Sequence, residues 1–176
     1  KNKAAMEQRI NEILEFVELT DRADDKSRRY SGGMKRRLMI GMALLHKPKI
    51  LFLDEPTVGL DPQVRRKMWD LIRKMNEAGM TVLLTTHYIE EADQLCRRVA
   101  IMNRGRIIAV DTPQKLKEKV GRVVVEHMEA DGMINNFFDN REQAASYVAG
   151  LNSNATVREA NLEDVFIELT GRRVND

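Results

Sequence analysis

The chain has 176 residues, which is long enough for one ordinary domain with a sizeable core and short for two. Hydrophobic residues make up 43% and charged residues 32%, a composition that excludes a disordered or collagen-like chain. The formal net charge is only +2, so charge favours neither nucleic-acid nor membrane binding, and we expect no nucleic-acid partner. The single cysteine, Cys96, excludes an internal disulfide and is typical of a reducing, cytosolic compartment. We also expect no membrane helix, since no apolar run approaches roughly 20 residues, and no signal peptide, since charged helix-like sequence follows residues 1–4.

The first part of the chain predicts two helices. Residues 7–19 place apolar side chains at helical spacing, and residues 21–29 predict a polar loop. Residues 34–46 predict a second helix, which ends because Pro48 follows. The apolar side of this second helix is predicted to include Leu38, Met42 and Leu45.

The middle of the chain predicts a strand, a helix and a strand. Residues 50–53 form a short apolar run that is typical of a strand buried on both faces. Asp61 and Pro62 suit the N-cap and first position of a helix that ends near Gly79. Residues 81–85 predict a second apolar strand, and this order favours a parallel pair with a right-handed crossover.

The rest of the chain predicts a mixture of short elements, with a change of character from Gly121 onward. In chain order they are a helix over 89–95, a hairpin of 99–102 with 106–110, a helix from Thr112-Pro113, a strand over 123–126, a turn at Asp131-Gly132, a helix over 141–149, a strand over 156–158, and a last helix capped by Asn161 and ending at Gly171.

Two adjacent carboxylates, Asp54 and Glu55, follow the first apolar strand directly. Ligands of open α/β sheets bind beyond the carboxyl ends of strands, so this position is suited to chemistry. One carboxylate can hold Mg²⁺, which prefers oxygen ligands, and the other can activate a water as general base. The alternative is that acidic residues end this strand only because they lie at the surface.

A second candidate is Ser31-Gly32-Gly33 at the start of a helix, and a third is His87 after the second strand. Glycines let a backbone approach an anion, and the first N–H groups of a helix favour negative charge. The alternative for the glycine pair is an ordinary N-cap and turn. His87 lies beside Glu55 if the two strands are neighbours, although a lone histidine is more often structural.

Together these motifs resemble those of ATP-binding-cassette (ABC) ATPases, in that family's order and spacing. Residues 30–34 resemble the signature motif, in which Leu is commoner than Tyr at the first position. Residues 50–56 resemble the Walker B strand with its catalytic glutamate, residues 59–61 the D-loop, and His87 the switch histidine. The resemblance covers roughly residues 7–120, and residues 121–176 look like the C-terminal extension of the drug-resistance-type exporter branch.

The resemblance implies a role for each matching residue. Asp54 would help to hold Mg²⁺, Glu55 would activate the attacking water, and His87 would contact the γ-phosphate of ATP. Ser31 and Gly33, with Gly32 between them, would meet the γ-phosphate of ATP bound by the opposite subunit. Asp61 would link the two sites across a dimer. Phosphoryl transfer of this kind depends on positioning and electrostatic stabilisation.

The sequence departs from the family at one motif. The family carries a phosphate-binding P-loop, Gly-x-x-x-x-Gly-Lys-Ser/Thr, upstream of the signature, and these 176 residues contain none. The nearest string, residues 41–48, has His46 in place of the second Gly and Pro48 in place of Ser or Thr. We therefore expect the chain to be the C-terminal part of a nucleotide-binding domain, with a natural split subunit as the alternative.

The implied fold class is α/β: the C-terminal part of a P-loop NTPase-like ABC ATPase core with a small α+β extension. We expect the partial core over residues 1–120 and the extension over 121–176. Within the core, the helical subdomain with the signature motif is expected at about 7–46. The segment from Walker B to the H-loop is expected at about 49–95.

The implied function is ATP hydrolysis that drives export through a transmembrane permease, with ATP and Mg²⁺ as cofactors. The implied partners are that permease and a second nucleotide-binding subunit, most simply in a homodimer, on the cytoplasmic face of the cell membrane. Two alternatives stay open. One is a split or hydrolysis-dead module that docks on a partner carrying the P-loop, and the other is a soluble ABC ATPase without transport.

The missing P-loop leads to two expectations for the chain alone. It should hydrolyse little or no ATP and bind ATP no tighter than millimolar. A sheet without its upstream strands exposes edges or an apolar face, so the chain should self-associate through that sheet.

Overall fold

The computed structural model describes residues 3–129, 132–151 and 153–171. The chain divides into two compact units, with the division between His87 and Tyr88. The predicted boundary near Gly121 rests on the change of sequence character there and on the extent of the family resemblance, and it stays a prediction. Each unit is a mixture of helices and strands, which agrees with the predicted α/β class. Within the described ranges, no helix is long and apolar enough to cross a membrane.

The first unit begins with two packed helices, α1 (Lys3–Phe16) and α2 (Gly32–Leu44), joined by two short 3-10 turns. They pack closely at Gly41, where a Cβ would lie 3.0 Å from Cγ2 of Ile13. The predicted apolar side of α2 is wrong. Met42 is 53% exposed, and the buried residues are Gly33, Ile40, Gly41 and Leu44. Apolar residues lie on several sides of α2, so the small Gly41, rather than periodicity, determines which side faces α1.

The predicted strand, helix and strand are confirmed as β1 (Ile50–Asp54), α3 (Pro62–Glu77) and β2 (Thr81–Thr85). The strands pair in parallel, and their register places Asp54 opposite Thr85. Helix α3 packs against β2 and buries one face, on which Met68, Leu71, Ile72 and Met75 lie.

The expectation that β1 is buried on both faces is wrong for this chain. Ile50 is 54% exposed, Phe52 is 72% exposed, and Leu83 on the same face of β2 is 56% exposed. Side chains alternate between the faces of a strand, so these three residues share the face opposite Leu51. We call this surface the outer face of the sheet. The expected exposure of an apolar face is therefore observed, and self-association through it stays a prediction.

The second unit begins with α4 (Ile89–Leu95), the hairpin β3 (Val99–Asn103) and β4 (Arg106–Asp111), and α5 (Pro113–Glu118). All four elements lie where the sequence predicts them, within one or two residues. Their small core contains Ile101 and Leu116, together with Leu162 and Val165 from the last helix, α7 (Leu162–Thr170).

A three-stranded antiparallel sheet completes the second unit, with β5 (Val123–Glu129) between β6 (Gly132–Phe138) and β7 (Ala155–Glu159). Helix α6 (Arg141–Ala149) packs on it through Ala144. The sequence predicts β5, α6, β7 and α7 but misses β6, because Asn135 and Asn136 are residues that strands disfavour. Asp131 of the predicted turn lies outside the described residues.

Candidate active site

Three of the predicted site residues come together at the carboxyl edge of the first unit's sheet. Asp54 ends β1, Glu55 follows it, and His87 comes two residues after β2. The Nδ1 atom of His87 lies 3.0 Å from Oε2 of Glu55, and the backbone N–H of His87 donates to the same oxygen at 3.4 Å. The expectation that His87 lies beside Glu55 is therefore confirmed, and parallel pairing of the strands is its cause.

Glu55 turns the chain away from the sheet in an uncommon backbone conformation. Its φ is +46°, in the left-handed region that non-glycine residues rarely adopt. Its N–H donates to the carbonyl of Thr85 at 3.0 Å, so one ladder bond continues past the strand end. Backbone strain of this kind concentrates at functional sites, where the surrounding structure maintains it.

The bond between His87 and Glu55 determines which atoms carry protons. An ionised carboxylate only accepts hydrogen bonds, so Nδ1 of His87 must carry the proton that it donates. In a neutral ring, Nε2 then has no proton and acts as an acceptor. Contact between Nε2–H and a phosphate oxygen therefore requires the positively charged imidazolium, whose charge would also complement a phosphate.

The carboxylate of Asp54 is the group at this edge that suits Mg²⁺. Mg²⁺ is usually held by one or two carboxylates together with substrate phosphates and water, rather than by an all-protein cage. Asp54 is exposed on the outer face and accepts a hydrogen bond from Oγ1 of Thr85 through Oδ1. Within the described residues no group of three or more His, Cys, Asp or Glu side chains forms a metal site. A lone carboxylate such as Asp54 could supply one ligand to a Mg²⁺ ion whose other ligands are phosphates and water.

Ser31, Gly32 and Gly33 lie at the start of a different element, helix α2. Ser31 is its N-cap, and its Oγ accepts a hydrogen bond from the N–H of Met34 at 3.3 Å. The predicted ordinary role of Ser31, an N-cap, is therefore present in the structure. Ser31 and Gly32 are both exposed, so these first-turn groups remain accessible to an anion.

Tyr30, which departs from the commoner Leu of the signature motif, has a local explanation. Its ring is buried, and its hydroxyl donates to the carbonyl of Arg22 at 2.6 Å. A leucine could fill the space but could not satisfy that carbonyl. Tyr30 therefore fixes the loop that leads into α2.

Gly33 has a packing role that the sequence does not reveal. A Cβ at Gly33 would lie 2.4 Å from Cγ1 of Val64, a separation that real Cβ atoms essentially never show. Val64 is in the first turn of α3, and its N–H donates to the side chain of Asp61, the N-cap of that helix, at 3.0 Å. The first turns of α2 and α3 therefore meet at this glycine.

This contact predicts opposite effects for the two neighbouring glycines. Gly33→Ala should destabilise the protein by about 1–3 kcal/mol, because Val64 is β-branched and has little rotamer freedom in a helix. Gly32→Ala is the matched control, because nothing lies within 4 Å of a Cβ there. It should be neutral or stabilising by up to about 1 kcal/mol. Urea unfolding midpoints measure both, and adding Val64→Ala to Gly33→Ala should restore part of the loss. Equal effects of the two glycine substitutions would contradict the packing role.

Asp61 is predicted, like Ser31, Gly32 and Gly33, to serve a nucleotide site away from the sheet edge. In the structure it caps a helix. Its Oδ1 accepts from the N–H groups of Gln63 and Val64 at 3.1 and 3.0 Å, and Pro62 occupies the first helical position. The predicted cap is confirmed. A link across a dimer is compatible with this role because Asp61 is exposed.

The sequence misses Thr85 as a site residue, although it contacts both acidic residues of the strand end. Thr85 ends the second strand two residues before His87, and the sequence pattern assigns it no chemical role. The available signal was the predicted parallel pairing of the two strands, and the observed register places Asp54 opposite Thr85.

Comparison with known proteins finds relatives of this chain among ABC transporter proteins. A family model described as ABC transporter matches residues 1–58. The chain is 38% identical to the linearmycin resistance ATP-binding protein LnrL of Bacillus subtilis, and the match covers 96% of this chain and 64% of that protein. It is also 38% identical to Nod factor export ATP-binding protein I of Cupriavidus metallidurans, over 99% of this chain and 65% of that protein.

A solved structure is similar in sequence and in fold. The cbiO1 protein from Clostridium perfringens, part of the ABC transporter complex cbiONQ, is 31% identical with a TM-score of 0.63. The match covers 66% of this chain and 47% of that chain. The chain thus spans just under two thirds of the length of the two curated relatives. On these matches, together with its fold, the chain belongs to the family of ABC transporter ATP-binding domains.

Proposed function

We propose that this chain is part of the ATP-hydrolysing subunit of an ABC exporter. The observation that carries the proposal is the Glu55 and His87 pair, joined at 3.0 Å beside Asp54 at the carboxyl edge of a parallel sheet. This edge is where α/β proteins bind ligands, and the pair combines a carboxylate that can act as a base with an imidazole ring that can hold it in place. Both curated relatives are named as ATP-binding proteins, one in resistance and one in export, and these names favour the exporter branch.

In the proposed reaction, Glu55 accepts a proton from the water that attacks the γ-phosphate. His87 holds the carboxylate of Glu55 in place and, as the imidazolium, presents Nε2–H to a phosphate oxygen. Asp54 would hold Mg²⁺. When bound together with ATP, this ion would neutralise part of the negative charge of the phosphates. These contributions are positioning and electrostatics, which are what phosphoryl transfer requires of a protein.

The remaining motif residues are proposed to serve a second nucleotide site. Ser31, Gly32 and Gly33 present the exposed first turn of α2, and we assign them to ATP bound by the opposite subunit of a homodimer. Asp61, exposed at the start of α3, would link the two sites. A transmembrane permease would complete the transporter, with this subunit on the cytoplasmic face of the membrane.

The chain by itself is proposed to be inactive. Its 176 residues contain no P-loop, so the backbone amides and lysine that cradle the β- and γ-phosphates in this family are missing from it. ATP affinity of residues 1–176 is therefore expected to be no tighter than millimolar. Micromolar binding of Mg-ATP in calorimetry would contradict this part of the proposal.

Substitution of His87 tests the function in the native full-length protein with its permease. His87→Ala removes the ring that holds Glu55 and its contact with a phosphate oxygen, so kcat for ATP hydrolysis should fall by about 10- to 100-fold. The dissociation constant for ATP should change much less than kcat, since holding Glu55 in place acts on the transition state more than on ground-state binding. His46→Ala is the matched control, because His46 is exposed in the loop before β1. Unchanged hydrolysis by His87→Ala would refute the assigned role.

A further inference from the structure

Thr85 is the last residue of β2 and lies directly opposite Asp54 in the parallel register. It contacts both acidic residues, through different groups. Its hydroxyl, Oγ1, donates to Oδ1 of Asp54. Its backbone carbonyl accepts the N–H of Glu55 at 3.0 Å.

The side-chain bond fixes the orientation of a carboxylate that would otherwise rotate freely. Ionised Asp54 can only accept, so the hydroxyl must be the donor and its single proton is committed to Oδ1. A hydroxyl that donates to a carboxylate forms a charge-assisted bond, which is stronger than a neutral one. Side chains that orient a metal-binding carboxylate in this way tune the affinity of the site for its metal.

The backbone bond acts on Glu55 at the point where the chain leaves the sheet. Glu55 has a φ of +46°, and its N–H bond to Thr85 ties this strained residue to the end of β2. One residue of β2 therefore holds both acidic residues at the end of β1, Asp54 through its side chain and Glu55 through its backbone. Only the first of these two bonds depends on the identity of the side chain.

We propose that Thr85 is a positioning residue whose hydroxyl orients Asp54 for the metal that accompanies ATP. The inference rests on the proposed function, because it needs Asp54 to meet a nucleotide-bound cation. Thr85 and Glu55 have different proposed roles. The hydroxyl of Thr85 affects the affinity for the metal, whereas the carboxylate of Glu55 activates the attacking water.

The test replaces Thr85 in the native full-length protein by residues that keep or remove the hydroxyl. Thr85→Val keeps the β-branched shape and the backbone bond to Glu55 but loses Oγ1. With Mn²⁺ as the probe and ATP present, Mn²⁺ affinity by electron paramagnetic resonance should weaken about tenfold, and kcat should fall about tenfold. KM for ATP should stay within twofold. Thr85→Ser should restore both quantities to within about twofold of the unsubstituted protein.

Thr81→Val is the matched control, because Thr81 lies on the same outer face at the opposite end of the same strand. It should leave Mn²⁺ affinity and kcat unchanged. Equal Mn²⁺ affinity in Thr85→Val and Thr81→Val would overturn the inference. A Thr85→Ser protein whose Mn²⁺ affinity is as weak as that of Thr85→Val would overturn it too. If Thr85→Val does not fold, Thr85→Ala compared with Thr81→Ala gives the same decision. Glu55→Gln separates the two proposals, since unchanged hydrolysis there refutes the function, whereas an effect there with none in Thr85→Val refutes only the role of Thr85.

Discussion

Glu55→Gln in the native full-length protein is expected to lower kcat for ATP hydrolysis at least about 100-fold, while ATP still binds. Glutamine has nearly the same shape as glutamate but cannot take a proton from water. It can still accept the hydrogen bonds that His87 donates to Oε2, so the local geometry should persist. A steady-state phosphate-release assay measures hydrolysis, and equilibrium titration with ATP measures binding.

The control for this substitution is Glu77→Gln, an equally conservative change at the exposed end of α3. It should leave hydrolysis and ATP binding unaltered. A Glu55→Gln protein that hydrolyses ATP at more than a tenth of the unsubstituted rate would show that another group is the base. Loss of binding together with hydrolysis would instead indicate a structural role for Glu55.

Asp164→Ala is expected to destabilise the second unit by about 3 kcal/mol. The carboxylate of Asp164 is 2% exposed and forms a bidentate pair with Arg158, at 2.7 and 2.8 Å. It also accepts the N–H of Asn161 at 2.8 Å, which closes the capping box at the start of α7. Removing the carboxylate leaves a guanidinium with one partner fewer and a helix without half of its cap.

Arg158 lies between the carboxylates of Glu126 and Asp164, which explains why Asp164→Ala should lower the free energy of unfolding substantially. It donates from Nε to Glu126 at 2.7 Å, and its hydrogen bond to Asp164 is the largest reason that the pKa of Arg158 is raised above its usual range. Because the pKa of Arg158 is raised, its contribution to the stability of the folded state is fully present at every pH below the ordinary arginine pKa, and Arg158 stays charged throughout the accessible range. Arg158 keeps 29% of its side-chain exposure, so water can partly compensate, and we place the effect at the lower end for a broken buried pair.

Hydrogen exchange and urea unfolding together measure this effect where it arises. Amides of β5 and α7 should exchange faster in Asp164→Ala, whereas those of β1 and β2 should keep their protection. Glu163→Ala is the control, because Glu163 is the exposed neighbour in the same first turn. A loss smaller than 1 kcal/mol in Asp164→Ala, or one equal to that of Glu163→Ala, would contradict the account.

Local signals in the sequence are enough to place most elements of this fold. Asp61-Pro62 and Thr112-Pro113 each start a helix as N-cap and first residue, and Gly171 ends the last helix with a φ of +64°. These features depend on a few neighbouring residues. The sequence does not predict strand β6, because Asn136 is explained by its contacts in the folded structure rather than by strand propensity. Asn136 hydrogen-bonds the buried His127 at 3.0 Å and the hydroxyl of Tyr147 at 3.1 Å, and neither partner is near it in sequence.

The side of a helix or strand that is buried was harder to predict than its existence. Leu51 is buried and Phe52 is exposed, although both belong to one apolar run, because α3 covers a single face of the sheet in this chain. At the site, the motifs predict Asp54, Glu55 and His87 correctly as neighbours, since parallel pairing follows from the strand-helix-strand order. Thr85 and the contact of Gly33 with Val64 depend on register and close packing, which a single sequence does not specify.

Hydrolysis by mixed dimers of the native full-length protein tests most directly whether the residues of one chain serve two nucleotide sites. Ser31→Asp is suited to this, because aspartate keeps the N-cap of α2 and places a negative charge against the γ-phosphate. One dimer carries Glu55→Gln in one subunit and Ser31→Asp in the other, and a second dimer carries both substitutions in the same subunit. We expect the first dimer to retain one complete site and to hydrolyse ATP, and the second dimer to lose both sites. Hydrolysis by the second dimer and none by the first would contradict this expectation.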